Sequence, residues 1–269
     1  MKNRWTTILA AVLLVPQFAL ADEIPAAASA VEEQPVAAEA MPFADGERLL
    51  YEVSLLGITA GEAELRVEGL ADEWRLHASG KTVGATDSIF GLRQSASCTV
   101  SDELSPEVCL FTSRQRKGMR RREMRFDKKT GEVRERTLQD GKRSEKTRKF
   151  GEGGVQDALS GLYLLRKDLP AQGETMSFRS LRKGKAITVQ ATAIGEETVE
   201  TEAGRFLATV IDLRIMDKVD KDAATRAKVW FSADDRRLPV KISLDAPVGS
   251  LEAELTAASG TRGGSLAGR

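Results

Sequence analysis

Hydrophobic and polar residues alternate with a period of two along much of the chain. The segments Ala63–Val67, Trp74–Ala78 and Val240–Leu244 each carry an apolar side chain at every second position, and the odd-numbered positions of Leu207–Ile215 form another such face. This alternation is typical of antiparallel strands with one face against a core and the other in water. It predicts a mainly β protein, built as a curved antiparallel sheet or open barrel of about ten or more strands.

One segment has a helical period instead. Between Val155 and Lys167 the apolar residues recur at spacings of three and four. Asp157 is placed to cap the first turn, and Arg166 and Lys167 are favourable in the last turn because they oppose the helix dipole. We therefore expect a single helix near residues 155–168.

The first 21 residues have the composition of a cleavable export signal. Lys2 and Arg4 precede the apolar run Ile8–Val15, and Ala19 and Ala21 are the small residues that a signal peptidase recognises, so cleavage is expected after Ala21. A membrane anchor would need about 20 apolar residues. A lipid-modified cysteine would have to follow the cleavage site, where Asp22 stands. These features predict a periplasmic or secreted protein that does not span the membrane.

The two ends of the exported chain differ from its middle. Residues 22–44 are rich in Ala, Glu and Pro and have no apolar period, which predicts a disordered tether. Residues 257–269 consist largely of Gly, Ser and Ala, and we expect a disordered tail. Between them, residues 45–256 are expected to form a single β domain.

The formal charge is zero, with 40 basic and 40 acidic residues, but the charges are unevenly placed. Residues 114–149 contain sixteen Lys and Arg against six Asp and Glu, and we call this segment the basic ribbon. If Asp140-Gly141 is a two-residue hairpin turn, the residue numbers of any two residues that face each other across the hairpin add up to 281. Three opposite-charge pairs then face each other: Arg136 with Glu145, Glu135 with Lys146 and Glu132 with Lys149.

Ten positive charges of the ribbon remain in excess, including the run Arg120, Arg121 and Arg122, which are the candidate anion-binding residues. Met124 and Phe126 share a strand face with Arg120 and Arg122, so the ribbon should extend past the core or line a wet concavity. Lipid, lipopolysaccharide, acidic polysaccharide or an envelope protein fits an exported chain as partner. Nucleic acid does not, because aromatic residues for base stacking are almost absent from the ribbon.

Few residues suggest catalysis. Cys98 and Cys109 flank a predicted turn on consecutive strands, where they could form a disulfide or remain two buried thiols. His77 is the one histidine, on the expected outer face of its strand, which argues against a multi-histidine metal site and a Ser/His/Asp triad. We expect no enzyme activity, no metal and no cofactor.

Several stretches together resemble a bacterial family known as domain of unknown function 3108. They are Gly46–Val53, Leu56–Ala63, Asp157–Arg166, Thr201–Phe206, Trp230–Asp234 and Arg237–Val240. The resemblance implies an exported, mainly β protein without established activity, and so without catalytic residues to transfer. The stretches from Thr201 onward also resemble, more loosely, the closing strands of periplasmic lipoprotein-carrier folds. In those folds a curved antiparallel sheet wraps partly around a helix, with an apolar cavity between them.

The resulting hypothesis is a periplasmic binding or carrier module for an apolar or amphipathic envelope ligand. Tyr51, Trp74 and Trp230 are the candidate walls of its cavity, although the same residues would also serve as ordinary core. The alternative is a structural or assembly partner in the envelope that docks through the basic ribbon. A hydrolase has the least support, because no specific pair of carboxylates stands out.

Overall fold

The computed structural model describes residues 40–266, apart from 117, 152, 183, 217–224 and 247–248. The predicted signal peptide and most of the predicted tether therefore lie outside the described residues. The described part forms fifteen strands and two helices. In chain order these are β1 (Arg48–Leu55), β2 (Ile58–Gly69), β3 (Glu73–Thr82), α1 (Gly84–Phe90), β4 (Arg93–Ser101), β5 (Pro106–Gln115), β6 (Gly118–Asp127), β7 (Glu132–Gln139), β8 (Lys142–Lys149), α2 (Ala158–Lys167), β9 (Thr175–Arg182), β10 (Lys185–Thr201), β11 (Gly204–Met216), β12 (Thr225–Ser232), β13 (Pro239–Ala246), β14 (Gly249–Thr261) and β15 (Gly264–Leu266).

All of the strands join one antiparallel sheet, which confirms the predicted architecture. The strand order is β8-β7-β6-β5-β4-β3-β2-β1-β14-β13-β12-β11-β10-β9, and β15 pairs with β14. The C-terminal strands thus return beside β1, and β8 and β9 are left at the two ends of the order. Among the described residues these two end strands do not pair with each other, so the sheet is barrel-like but not closed.

The predicted helix is present as α2 and fills the inside of the curved sheet. Leu159 and Tyr163 pack with Leu49, Leu76 and Met124, and we call the sheet face that carries these residues the inner face. Asp157 caps the helix: its carboxylate accepts a hydrogen bond from the Ser160 N–H at 2.6 Å, and its own N–H donates to the Ser160 hydroxyl. The capping interaction predicted for Asp157 is confirmed.

A second helix, α1, was not predicted from the sequence. It spans seven residues and buries none of them, so its sequence lacks the apolar period that would have revealed it. The expectation of a single helix is therefore wrong at this position.

The prediction of a disordered tail is also wrong for residues 257–266. β14 continues to Thr261 and β15 follows, so this segment is part of the sheet. Its small side chains fit a crowded site, because a β carbon on Gly260 would collide with the carbonyl oxygen of Gly46, and Gly260 has a φ of +65°. At the other end of the domain, Phe43 of the predicted tether is buried in the core.

The predicted buried face of β11 is correct in only half of the strand. Ile211 is buried as expected, but Leu207 is 54% exposed, and Phe206 and Ala208 are buried instead. The start of β11 and the end of β10 form a hairpin that lies against the outer face of the sheet, and its Ala203 N–H donates to the Leu255 carbonyl oxygen at 3.3 Å. The face that is buried therefore changes along one strand.

Candidate functional site

The basic ribbon forms three consecutive strands at one end of the sheet. The β7 and β8 register pairs Arg136 with Glu145, Glu135 with Lys146 and Glu132 with Lys149, as the hairpin rule predicts. The pairing of β6 with β7 sets Met124 opposite Glu135. The ribbon thus continues the inner face of the sheet beyond the core.

The arginine run of β6 is divided between the two faces of the sheet. Arg120 and Arg122 lie on the same side as the buried Met124, whereas Arg121 is exposed on the outer face. The three candidate anion-binding residues therefore do not form one surface. Two of them face inward, toward α2.

Arg122 is half-buried on the inner face of the ribbon. Its guanidinium lies 5.5 Å from the centroid of the Phe111 ring, on the neighbouring strand. Burial lowers the pKa of Arg122, and the nearby charge of Glu135 acts in the opposite direction. The guanidinium stays charged at neutral pH. Its Nε atom is buried and has no hydrogen-bond partner among the described residues.

Glu135 supplies the negative charge beside these arginines. Its carboxylate accepts hydrogen bonds from the Arg148 guanidinium at 3.3 Å and from the Thr137 hydroxyl at 3.2 Å. We call Arg120, Arg122 and Arg148 the inner basic cluster. The charge of the Asp157 carboxylate acts on Arg122 as well. The three guanidinium groups therefore share the surface with two carboxylates, Glu135 and Asp157.

The inner basic cluster lies beside the open seam of the sheet, where β8 and β9 come close without pairing. A β carbon on Gly184, in the turn that joins β9 to β10, would lie 2.6 Å from the Cζ atom of Arg148. In the same turn Arg182 faces Lys185 in the register of the two strands. Basic residues from both ends of the strand order therefore meet at the seam.

Half-buried apolar side chains continue the same surface toward the core. Phe126, Phe150, Leu181 and Ala186 are only partly covered and pack against the buried core residues. Phe150 is held in place because its carbonyl oxygen accepts a hydrogen bond from Arg179 of β9. A positively charged zone next to an apolar one is suited to a molecule with an anionic end and an apolar end.

A disulfide lies beneath the cluster. Cys98 of β4 faces Cys109 of β5, and their sulfur atoms are bonded, which confirms one of the two alternatives. Both sulfur atoms lie within 4.8 Å of the Asp157 carboxylate, and these three residues are the one group of potential metal ligands in the described part of the chain. The disulfide removes both thiolates from that group. Burial also raises the pKa of the Asp157 carboxyl group, although its hydrogen bonds with Ser160 act to lower that pKa.

The three aromatic residues proposed as cavity walls are not brought together. Tyr51 is buried and donates a hydrogen bond to the Pro239 carbonyl oxygen at 2.9 Å. Trp74 packs edge-on against Phe43 at 5.1 Å between ring centroids. Trp230 points to the outer face, where its indole N–H donates to Glu197 at 2.8 Å. Tyr51 and Trp230 are buried core residues and Trp74 is half-buried against the core, so the three fill space and do not line one cavity.

The outer face carries a groove of about 430 Å³ that crosses β2 to β6. Hydroxyl groups of Ser79, Ser95 and Ser97 line its floor, and Arg66 and Arg121 lie among its walls. Arg121 is the one member of the arginine run that lines this groove.

His77 also lines that groove, on the outer face as predicted. Its Nε2 atom lies 3.5 Å from a carboxylate oxygen of Glu68. Burial lowers the pKa of His77 more than the contact with Glu68 raises it, so the imidazole is neutral at neutral pH.

Sequence reasoning missed a buried ion pair at the other end of α2. Arg166 and Glu47 are 1% and 0% exposed and share two hydrogen bonds, of 2.6 and 2.9 Å. Arg166 also donates to the carbonyl oxygens of Pro42 and Arg236. The sequence did indicate that Arg166 would be buried. Arg166 follows Leu159 and Tyr163 at helical spacings and so lies on the apolar face of α2.

No helix among the described residues is both long enough and apolar enough to cross a membrane. A search of curated proteins finds no match to this chain.

A solved structure with a similar fold is a β-barrel-like protein of the family DUF1849 from Brucella abortus. It has a TM-score of 0.54 and 10% sequence identity, and the match covers 78% of this chain and 95% of that one. At this identity the likeness concerns the fold alone.

Two weaker matches both have a TM-score of 0.34. A presumed lipoprotein from Parabacteroides distasonis is 9% identical, with 80% of this chain and 96% of that chain covered. A presumed exported protein with a YmcC-like fold, from Bacteroides fragilis, is 12% identical, with 81% and 98% covered.

The family comparison agrees with the resemblance seen in the sequence. The model of the protein family of unknown function DUF3108 matches residues 50–256, which include nearly all of the sheet and the whole of α2. The chain therefore belongs to the DUF3108 family.

Proposed function

We propose that this protein is a binding module of the cell envelope that holds an amphipathic anion at the seam between β8 and β9. The observation that carries the proposal is Arg122, a half-buried guanidinium whose Nε has no hydrogen-bond partner among the described residues. A buried donor without a partner is costly, and an anionic ligand oxygen would satisfy it. The proposed activity is binding rather than catalysis.

The surroundings of Arg122 define the chemistry of the ligand. The inner basic cluster offers several guanidinium groups, which are suited to bidentate hydrogen bonds with phosphate or carboxylate oxygens. Phe126, Phe150 and Leu181 provide a neighbouring apolar surface. A lipid with an acidic head group has both parts, and the head group would lie on the cluster with its chain along the apolar side chains.

The proposed location is the periplasm or the outside of the cell. The composition of residues 1–21 supports export, with cleavage expected after Ala21. The disulfide between Cys98 and Cys109 agrees with it, because structural disulfides persist mainly in oxidising compartments.

A titration with single-chain lipids tests the proposal. Lysophosphatidylglycerol should bind the purified chain, and lysophosphatidylcholine with the same acyl chain should bind about tenfold more weakly, because it lacks a net negative charge. Added salt should weaken the first interaction more than the second. Absence of binding by both lipids, together with no lipid in an organic extract of the purified protein, would contradict the proposal.

A second candidate is an assembly role for the outer face of the ribbon. Arg121, Leu138 and Arg143 lie side by side on β6, β7 and β8. Neither arginine has a hydrogen bond or ion pair with the other residues that the structure describes. An acidic protein surface would complement this row. Crosslinking in cells from position 121 should then trap a defined protein, and failure to trap one would argue against this role.

A further inference from the structure

Four exposed apolar side chains lie along one rim of the sheet. Leu56, Ile58 and Ile89 are 63%, 71% and 68% exposed, and Met119 is exposed as well. Leu56 and Ile58 are at the turn from β1 to β2, Ile89 is in α1 after the end of β3, and Met119 is at the start of β6. In an antiparallel sheet these strand ends meet at the same edge.

Hydrogen bonds and strand register bring these positions together. The Val83 N–H donates to the Ala60 carbonyl oxygen at 3.1 Å, which holds α1 beside the first residues of β2. Arg114 of β5 pairs with Met119 on one side and with Arg93 on the other. The apolar side chains and these arginines therefore form one continuous surface, which we call the rim patch.

The rim patch has an excess of positive charge. Arg116 lies against the C-terminal end of α1, where a β carbon on Gly91 would be 2.9 Å from its Cγ atom. Asp87 is the acidic residue of α1 and binds Arg93 at 2.5 Å. Asp140 adds a second carboxylate, which accepts a hydrogen bond from the Met119 N–H at 3.0 Å. Three arginines, Arg93, Arg114 and Arg116, thus accompany two carboxylates.

We infer that the rim patch docks the protein on an anionic phospholipid surface. Exposed Leu, Ile and Met side chains gain free energy by entering the interface between head groups and acyl chains, and arginines beside them contact lipid phosphates. A second copy of this chain fits the patch less well, because a symmetric contact would bring the same three arginines against each other. This docking uses residues other than those of the inner basic cluster and goes beyond the proposed ligand binding.

Vesicle flotation with matched variants tests the inference. The exported chain should bind vesicles of phosphatidylethanolamine with phosphatidylglycerol, and bind vesicles of phosphatidylcholine much less. The double variant Ile58→Ser/Ile89→Ser should lower the partition coefficient by about tenfold or more. The control Ile194→Ser/Leu207→Ser changes two apolar residues of β10 and β11 that are 50% and 54% exposed, outside the rim patch, and should bind as the wild type does.

A second measurement tests directly whether the rim patch enters the lipid, and it changes one residue at a time. Tryptophan fluorescence of Ile58→Trp should be quenched by brominated acyl chains, whereas that of Leu207→Trp should not. Failure of the wild type to bind anionic vesicles would overturn the inference, as would equal losses for the two serine pairs or equal quenching at the two positions. A protein partner that occupies the rim in place of lipid would also overturn it. The variant Arg122→Gln should float as the wild type does, which separates docking from ligand binding.

Discussion

At the scale of single residues, the ion pair between Arg166 and Glu47 shows how the fold is held together. Burial alone would lower the pKa of Arg166, but the hydrogen bonds and charge of Glu47 raise it above its ordinary value. The guanidinium joins α2 to the segment before β1 and to the turn before β13 through its carbonyl contacts. Three distant parts of the sequence therefore depend on one side chain.

Removal of Arg166 should be strongly destabilising. In Arg166→Met the carboxylate of Glu47 stays buried without its partner, so we expect the free energy of unfolding to fall by about 3 to 5 kcal/mol. The double variant Arg166→Met/Glu47→Leu should recover part of that loss, because no buried charge remains. Denaturant unfolding measures both changes.

The exposed pair of Arg48 and Glu64 is the matched control. Arg48→Met removes a bidentate ion pair of similar geometry at the surface and should cost far less than Arg166→Met, because water screens an exposed pair. If Arg48→Met and Arg166→Met cost the same, burial is not what makes the inner pair important.

Asp87 should give α1 a dependence on pH. Hydrogen bonds from Arg93, and then from Thr82, lower the pKa of this carboxyl group from 3.8 to about 2. A lowered carboxyl pKa contributes stability above the unfolded value of 3.8, and the contribution is lost as the pH falls to about 2. Asp87→Asn should therefore reduce the change in melting temperature over that interval. An identical change in wild type and variant would contradict this assignment.

At the scale of elements, the sequence was informative about pairing and less so about faces. The Asp140-Gly141 turn was enough to predict the register of β7 and β8, because a two-residue hairpin leaves one register. The pattern places Arg120 and Arg122 on the same strand face as Met124 and Phe126, but it does not show that this face is the inner one, because both sides of the strand carry polar residues. Which side is inner depends on Met124 and on the strands beside it.

The sequence was also a poor guide to two other elements, β11 and α1. The alternation of β11 is real, but the contacts of its hairpin with the outer face reverse the buried side at Phe206 and Ala208. α1 has no buried residue, so no apolar period marks it. For β11 the decisive contact joins segments that are far apart in the sequence, and for α1 the sequence carries no apolar signal.

The disulfide should stabilise the pairing of β4 with β5. The two cysteines are 11 residues apart, and removal of a bridge over a short loop is expected to cost about 2 to 4 kcal/mol. Denaturant unfolding of Cys98→Ala/Cys109→Ala measures this cost. Reduced wild type serves as the comparison, and no difference between the oxidised protein and the double variant would contradict it.

At the scale of the whole molecule, the open seam is the feature that links fold to proposed function. The strand order ends at β8 and β9, and Arg148 and Gly184 meet where these ends come close. A continuous ladder there would close the sheet beside the inner basic cluster. The sequence predicted a curved sheet or open barrel and a basic ribbon, but the position of the ribbon at the seam follows only from the order of all the strands.

The molecule also shows why the aromatic residues were poor guides to a site. Tyr51 and Trp74 are large enough to fill the space around α2, and they contribute to the core. Their sequence pattern is the same whether such residues line a cavity or fill it. The candidate site instead lies where half-buried charges and apolar side chains meet.

The most direct test of the central claim compares two neighbouring arginines on β6. Arg122 faces the seam and Arg121 faces the outer surface, so the variants Arg122→Gln and Arg121→Gln remove the same charge from opposite sides of one strand. Charge-assisted hydrogen bonds contribute roughly 1.5 to 3 kcal/mol, so Arg122→Gln should weaken lysophosphatidylglycerol binding by about tenfold or more. Arg121→Gln should leave that binding unchanged. Equal losses for the two variants, or no loss in Arg122→Gln, would contradict the account.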